Sequence, residues 1–95
     1  VYPRRIDEII RQYDRVDEYQ VIFKRVRGLD EIIVRIDPSP VIPADRHEDL
    51  QNEIAHGLQI GLGIRVTVEL VSSGSLPRWD HKAKRFVDER VEVPF

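Results

Sequence analysis

Cysteine and methionine are both missing from this chain of 95 residues. Without cysteine there is no disulfide stapling, no thiolate catalysis and no cysteine-ligated zinc, so the fold stands on packing alone. Without methionine, even at position 1, the chain is expected to be a piece cut from something longer. Long apolar runs are missing too. None approaches the roughly 20 residues that a membrane span needs, and the first residues lack the basic-then-apolar pattern of a signal peptide. A cytoplasmic protein with no membrane partner is the expectation. Charge of one sign is also scarce: 15 basic against 17 acidic side chains leave a net charge of −2. That balance argues against a nucleic-acid partner held by bulk charge. No repeat or low-complexity segment is present.

What the chain does have is 41% hydrophobic and 34% charged residues, enough for one compact core and too few residues for a second domain. Pro3 opens the first periodic segment, which runs from Val1 to Tyr13 with Ile6, Ile9, Ile10 and Tyr13 at helical spacing. Arg4, Arg5, Glu8, Arg11 and Gln12 form its solvated face. From Tyr19 to Val26 the period changes to two, with Tyr19, Val21 and Phe23 opposed to Gln20, Ile22 and Lys24. Arg27-Gly28-Leu29-Asp30 supplies a turn, and Ile32, Val34 and Ile36 alternate again, so the pair reads as an antiparallel hairpin. Asp37 to Pro43 carries three prolines and is expected to be a stiff connector.

Asp45 followed by Glu48 suggests an approximate capping box for a second helix, in which Leu50, Ile54, Leu58 and Leu62 recur every fourth residue until Gly63. Ile64 to Val71 reads as one more strand. The expected fold is therefore α+β: a small antiparallel or mixed sheet with two helices packed on one face, in the order α-β-β-α-β, then a functional loop and a C-terminal tail.

The tail from Ser72 breaks the pattern. It holds the single tryptophan and two of the three lysines, and between Arg78 and Arg90 its basic residues outnumber its acidic ones by two. Such a loop suits an anionic ligand, although a mixed-charge surface loop is the plainer explanation. His47 and His56 lie nine apart on the second helix without a metal-binding spacing, so no metal site is expected. Gly61-Leu62-Gly63 follows a helix where a dinucleotide-binding turn would open one.

The segment Leu76 to Arg90, L-P-R-W-D-H-K-A-K-R-F-V-D-E-R, resembles the closing motif of the phenylacetate-CoA ligases, P-R-S-x-G-K-A-x-R-V-x-D-x-R. Pro77, Arg78, Lys82, Ala83, Arg85, Asp88 and Arg90 carry the likeness. Trp79 and His81 depart from it, standing where the family has serine and glycine. The opening V-Y-P-R-R-I-D-E-I-I is similar to the family's V-F-P-x-x-I-E-E segment just after the interdomain hinge, and Tyr19-Gln-Val-Ile with Arg27-Gly-Leu-Asp resembles its hairpin.

This resemblance implies that residues 1–95 form the mobile C-terminal lid domain of an adenylate-forming acid-CoA ligase whose N-terminal ATP-binding lobe lies outside this chain. It implies ATP, with magnesium, and CoA as substrates of the whole enzyme, a carboxylic and commonly aryl acid as the group activated, and no cofactor bound by the piece alone. Lys82 would be the catalytic cation of acyl-adenylate formation, with Pro77, Arg78, Trp79, His81 and Arg85 in the loop beside nucleotide and substrate. The isolated piece is expected to be inactive. Two alternatives stay open: a ferredoxin-like α+β ligand-sensing or protein-interaction module, and the related branch that adenylates a deazaflavin cofactor.

Overall fold

The computed structural model describes residues 2–79 and 82–89, without the side chains of Tyr2, Lys82 and Ala83. Helix α1 spans Tyr2–Ile10, strand β1 Val16–Val26 and strand β2 Leu29–Pro38. A 3₁₀ turn at Ala44–Arg46 leads into helix α2 at His47–Leu62, followed by strand β3 at Thr67–Leu70. A second 3₁₀ turn, Lys82–Arg85, feeds the short strand β4 at Phe86–Asp88. The expected α-β-β-α-β order is observed, and the tail adds one strand that hydrophobic alternation over three residues is too short to announce. A ferredoxin-like module would have the order β-α-β-β-α-β, which this chain does not follow.

The sheet is mixed, in the order β3-β2-β1-β4. The β1–β2 hairpin is antiparallel, while β3 runs parallel to β2 and β4 parallel to β1. Its turn is tighter than the sequence suggested. Val26 pairs with Leu29, leaving Arg27 at φ 53° and Gly28 at φ 78° as the two central residues. Two positive φ values define the hairpin turn whose twist matches that of the strands.

One face of the sheet carries the core. Tyr19 and Val21 of β1, Ile32, Val34 and Ile36 of β2 and Val68 of β3 pack with Ile6, Ile9 and Ile10 of α1 and Leu50, Ile54 and Leu58 of α2. Each fully buried aliphatic side chain contributes about 1.5–3 kcal/mol before entropy is subtracted. Both helices thus lie on one face, as expected. Ile22 points the other way yet is only 4% exposed, because β1 is an interior strand with Ile33 on one side and Val87 on the other.

Three local expectations need correction. Helix α1 stops at Ile10, short of Tyr13, which instead packs its ring against the core and donates its hydroxyl to the Glu53 carbonyl oxygen at 3.4 Å. No capping box forms at α2: Arg46 is its N-cap and no side chain bonds the cap amides. Pro43 in extended conformation starts a 3₁₀ turn there, closed by the Arg46 amide on the Pro43 carbonyl at 2.9 Å. The connector begins later than read, since Asp37 and Pro38 complete β2 and are buried. At the other end of α2 Gly63 terminates the helix as expected, at φ 72° with its amide on the Gln59 carbonyl.

Candidate functional site

Strand directions bring the tail to one end of the sheet. Leu70, the last residue of β3, pairs with Ile36 near the end of β2, and Phe86, the first of β4, pairs with Val21 at the middle of β1. The described parts of segment 71–85 meet the end of the sheet where β1 begins and β2 finishes, through Gly74, Leu76, Arg78 and Arg85. Two buried carboxylates wait there. Glu18 and Asp37 are direct cross-strand partners, 5% and 0% exposed. A bulge between Val16 and Glu18 puts Asp17 out of register beside them.

Asp37 holds the first half of the segment. Its carboxylate accepts the Gly74 amide at 2.8 Å, the Leu76 amide at 3.2 Å and the Arg78 guanidinium at 3.0 Å. Ser73 adds a hydroxyl donated to the Pro38 carbonyl at 2.9 Å. Gly74 takes φ 81°, a left-handed conformation that glycine adopts without strain. Burial pushes the Asp37 carboxyl up, but the two amides and Arg78 outweigh it and hold the group below the ordinary carboxylate range. The other end of Arg78 lies 4.0 Å from Asp17.

Glu18 holds the second half. Arg85 donates Nε and Nη2 to its two oxygens at 2.5 and 3.3 Å, a bidentate pair with both side chains largely buried. That bond raises the Arg85 pKa, against the opposing effect of burial. The guanidinium also lies over the Tyr19 ring, 5.4 Å from its centroid. Tyr19 in turn donates its hydroxyl to Asp7 at 2.5 Å, and Asp7 accepts Arg11 at 2.9 Å. Phe86 meets Tyr19 edge-on and stacks on Phe23. An open groove of about 350 Å³ runs beside this network, between the end of α1 and the start of β1, with Arg85 on its wall.

Among the residues singled out in the sequence, Pro77 is exposed, Arg78 is bonded to Asp37, Trp79 is half-buried, and Arg85 is bonded to Glu18. Lys82 opens the 3₁₀ turn that Arg85 closes. His81 lies outside the described residues. Arg78 and Arg85 are thus each tied to the same end of the sheet, with Lys82 between them in sequence. Sequence reasoning missed Asp37, Glu18 and Asp7, because alternation assigns a charged residue to solvent. Their partners stand 41 and 67 positions away for Asp37 and Glu18. The available signal was the carboxylate directly before Pro38 at the end of a strand, a place where the backbone stops pairing and a side chain can take over. Among the described residues no group of three or more histidines and carboxylates could hold a metal ion, and no helix is long and apolar enough to cross a membrane.

A family model for the AMP-binding enzyme C-terminal domain matches residues 1–90. The chain belongs to that family. Among solved structures it is similar to 2-hydroxyisobutyryl-CoA ligase in complex with 2-HIB-AMP and CoA in the thioesterification state, with a TM-score of 0.84 and 34% identity over 94% of this chain. It covers 19% of that ligase, about a fifth of its length. A domain of a phenylacetate-coenzyme A ligase from Bacteroides vulgatus superposes with a TM-score of 0.82 at 25% identity, covering 98% of this chain and 88% of that one. The same 2-hydroxyisobutyryl-CoA ligase in its postadenylation state gives 0.81 at 34% identity over 95% of this chain and 20% of that chain. No curated protein sequence matches the chain. Both of these proteins are acid-CoA ligases.

Proposed function

We propose that this chain is the mobile lid of an AMP-forming acid-CoA ligase, acting with an N-terminal adenylation lobe of the same protein. The observation that carries the reading is the placement of Lys82 at the head of a turn that is anchored on both sides to the sheet end, in a chain whose family is that of AMP-binding enzyme C-terminal domains.

The chemistry requires such a group. Forming an acyl-adenylate brings a carboxylate toward an already anionic α-phosphate, and its oxygen displaces pyrophosphate. A cation beside the reacting oxygens offsets the repulsion and stabilises the charge that builds up. At an effective dielectric near 20, one charge at about 4 Å is worth roughly 4 kcal/mol, sufficient for a hundredfold rate effect. Lysine is suited to this because its charge is compact and its stem flexible. Carried on a separate lobe, it enters for the first step and withdraws when the domain rotates, so that CoA reaches the adenylate, forms the thioester and releases AMP. ATP arrives with its magnesium as substrate. The acid is a carboxylate, commonly an aryl one, and CoA is the acceptor favoured by the two ligases resembled. Such an enzyme works in the cytoplasm, and this domain by itself is inactive because the nucleotide and acyl pockets belong to the other lobe.

The test is Lys82→Ala in the full-length enzyme, with phenylacetate and 2-hydroxyisobutyrate as trial acids. Acid-dependent pyrophosphate release is expected to disappear while thioester formation from supplied acyl-adenylate survives. Equal loss of both half-reactions overturns the role given to Lys82.

A further inference from the structure

Fifteen residues, 71–85, connect the ends of β3 and β4, which are separated by three strand spacings. That is a distance of about 14 Å, whereas an extended chain of this length reaches roughly 50 Å. The segment has slack, and its described residues before the turn at Lys82 form no helix or strand to take it up. Its course is therefore set by whatever ties it down. The hydrogen bonds from Gly74, Leu76, Arg78 and Arg85 to carboxylates go to one cross-strand pair: Asp37 takes Gly74, Leu76 and Arg78, and Glu18 takes Arg85. One clamp lies four residues before Lys82 and the other three residues after it.

Stability alone does not account for this arrangement. Burying a carboxylate is costly, and buried ion pairs are often replaceable by apolar residues without loss. Two of them spent on an exposed loop define a geometry instead. Resting on the reading of Lys82 as the adenylating cation, we propose that Glu18 and Asp37 are positioning residues that fix where Lys82 stands, and that Arg85 serves the loop through Glu18 and makes no contact with the nucleotide. The pairing also links the two clamps. Because Glu18 and Asp37 face each other across β1 and β2, the anchors at Arg78 and Arg85 share a single rigid base, and Lys82 moves with the sheet as the whole domain turns.

The experiment uses the full-length enzyme and the variants Asp37→Asn, Glu18→Gln, Arg85→Gln, the Glu18→Gln/Arg85→Gln pair and Lys82→Ala. Adenylation and thioester formation are measured separately, with phenylacetate, 2-hydroxyisobutyrate and their preformed adenylates as probes, alongside hydrogen exchange of the Gly74 and Leu76 amides. Loosening a reacting group by about an ångström costs on the order of a hundredfold. The expectation for Asp37→Asn and Glu18→Gln is thus a roughly 10- to 100-fold fall in adenylation kcat, with KM for ATP and the second half-reaction within about twofold of the parent. The Glu18→Gln/Arg85→Gln pair should lose no more than its worse single member, since both remove one bond. In Asp37→Asn the two amides should exchange faster while the β1 and β2 amides keep their protection.

A parallel fall in both half-reactions, or an Arg85→Gln loss more than tenfold beyond that of Glu18→Gln, overturns the proposal. So do Gly74 and Leu76 amides that exchange at the parent rate in Asp37→Asn. If Lys82→Ala retains adenylation, the ligase role of Lys82 fails instead. The exchange measurement then still reports whether the clamp exists, so the two failures are told apart.

Discussion

Asp37 and Gly74 are joined by a hydrogen bond of 2.8 Å between a carboxylate without exposed surface and the amide of a residue in left-handed conformation. The tail is thereby fastened to the sheet by backbone as well as by side chain. Substituting Asp37 by alanine removes the acceptor of two amides and of Arg78, and a loss of about 3 kcal/mol is expected in urea denaturation at neutral pH. Surface substitutions nearby are expected to stay within about 0.5 kcal/mol.

The same bond makes acid sensitivity predictable in sign. The folded state holds the Asp37 carboxyl below its ordinary value, so its contribution is fully present above the unfolded value of about 3.9 and is lost as pH falls through the lower native one. Denaturation midpoints between pH 5 and pH 2 should therefore drop less steeply for Asp37→Asn than for the parent. An unchanged slope would contradict the assignment.

Tyr19 predicts the opposite pH limb. Burial first, then the hydrogen bond to Asp7 and the charge of Asp7, raise its pKa well above the ordinary tyrosine value near 10. Stability from the neutral hydroxyl is present below about pH 10 and is lost as pH rises through the native value. Tyr19→Phe should cost about 1 kcal/mol at pH 7, measured by urea denaturation, and should flatten the loss of stability seen in the parent above about pH 10.

The hairpin turn has a residue that its geometry does not favour. Arg27 at φ 53° pays the steric cost that a side chain meets in the left-handed region, while asparagine adopts it readily. Arg27→Asn is expected to stabilise the domain by about 0.5–1 kcal/mol, seen as a raised Tm. A lowered Tm would show that the arginine makes an interaction outweighing the strain.

Helix α2 approaches α1 and the segment that follows it through two glycines. A Cβ on Gly57 would meet the Tyr13 hydroxyl, and one on Gly61 would meet Cδ1 of Ile9. Ile9 is buried and Tyr13 is packed against the core, so even alanine at either position forces a neighbour to shift. Gly61→Leu adds far more bulk and is expected to destabilise by about 1–3 kcal/mol through overpacking, again by urea denaturation.

Much of this architecture is legible in the sequence because it follows from apolar period. Ile6, Ile9 and Ile10 mark α1, Ile32, Val34 and Ile36 mark the inner face of β2, and Leu50, Ile54 and Leu58 mark α2. Each of these residues is buried as its spacing requires. What period misses is polar burial. Asp7, Glu18 and Asp37 sit at positions that alternation or helix phase gives to solvent, and only contacts made across the fold pull them inside. The bulge at Asp17 compounds the difficulty, since it shifts the hairpin register at the point where the two clamps face each other. Within the loop, a family motif identified Arg78, Lys82 and Arg85 as a group. The motif did not reveal that two of the three are neutralised by carboxylates of the same domain.

Among the described residues strand β4 pairs with β1 at three positions, Val21 with Phe86, Ile22 with Val87 and Phe23 with Asp88. Those three pairs are a cover. Removing the chain from Phe86 onward leaves the middle of β1, rich in Val, Ile and Phe, as an open rim able to template another copy. A shortened version of this domain would thus be threatened less by unfolding than by self-association into sheets.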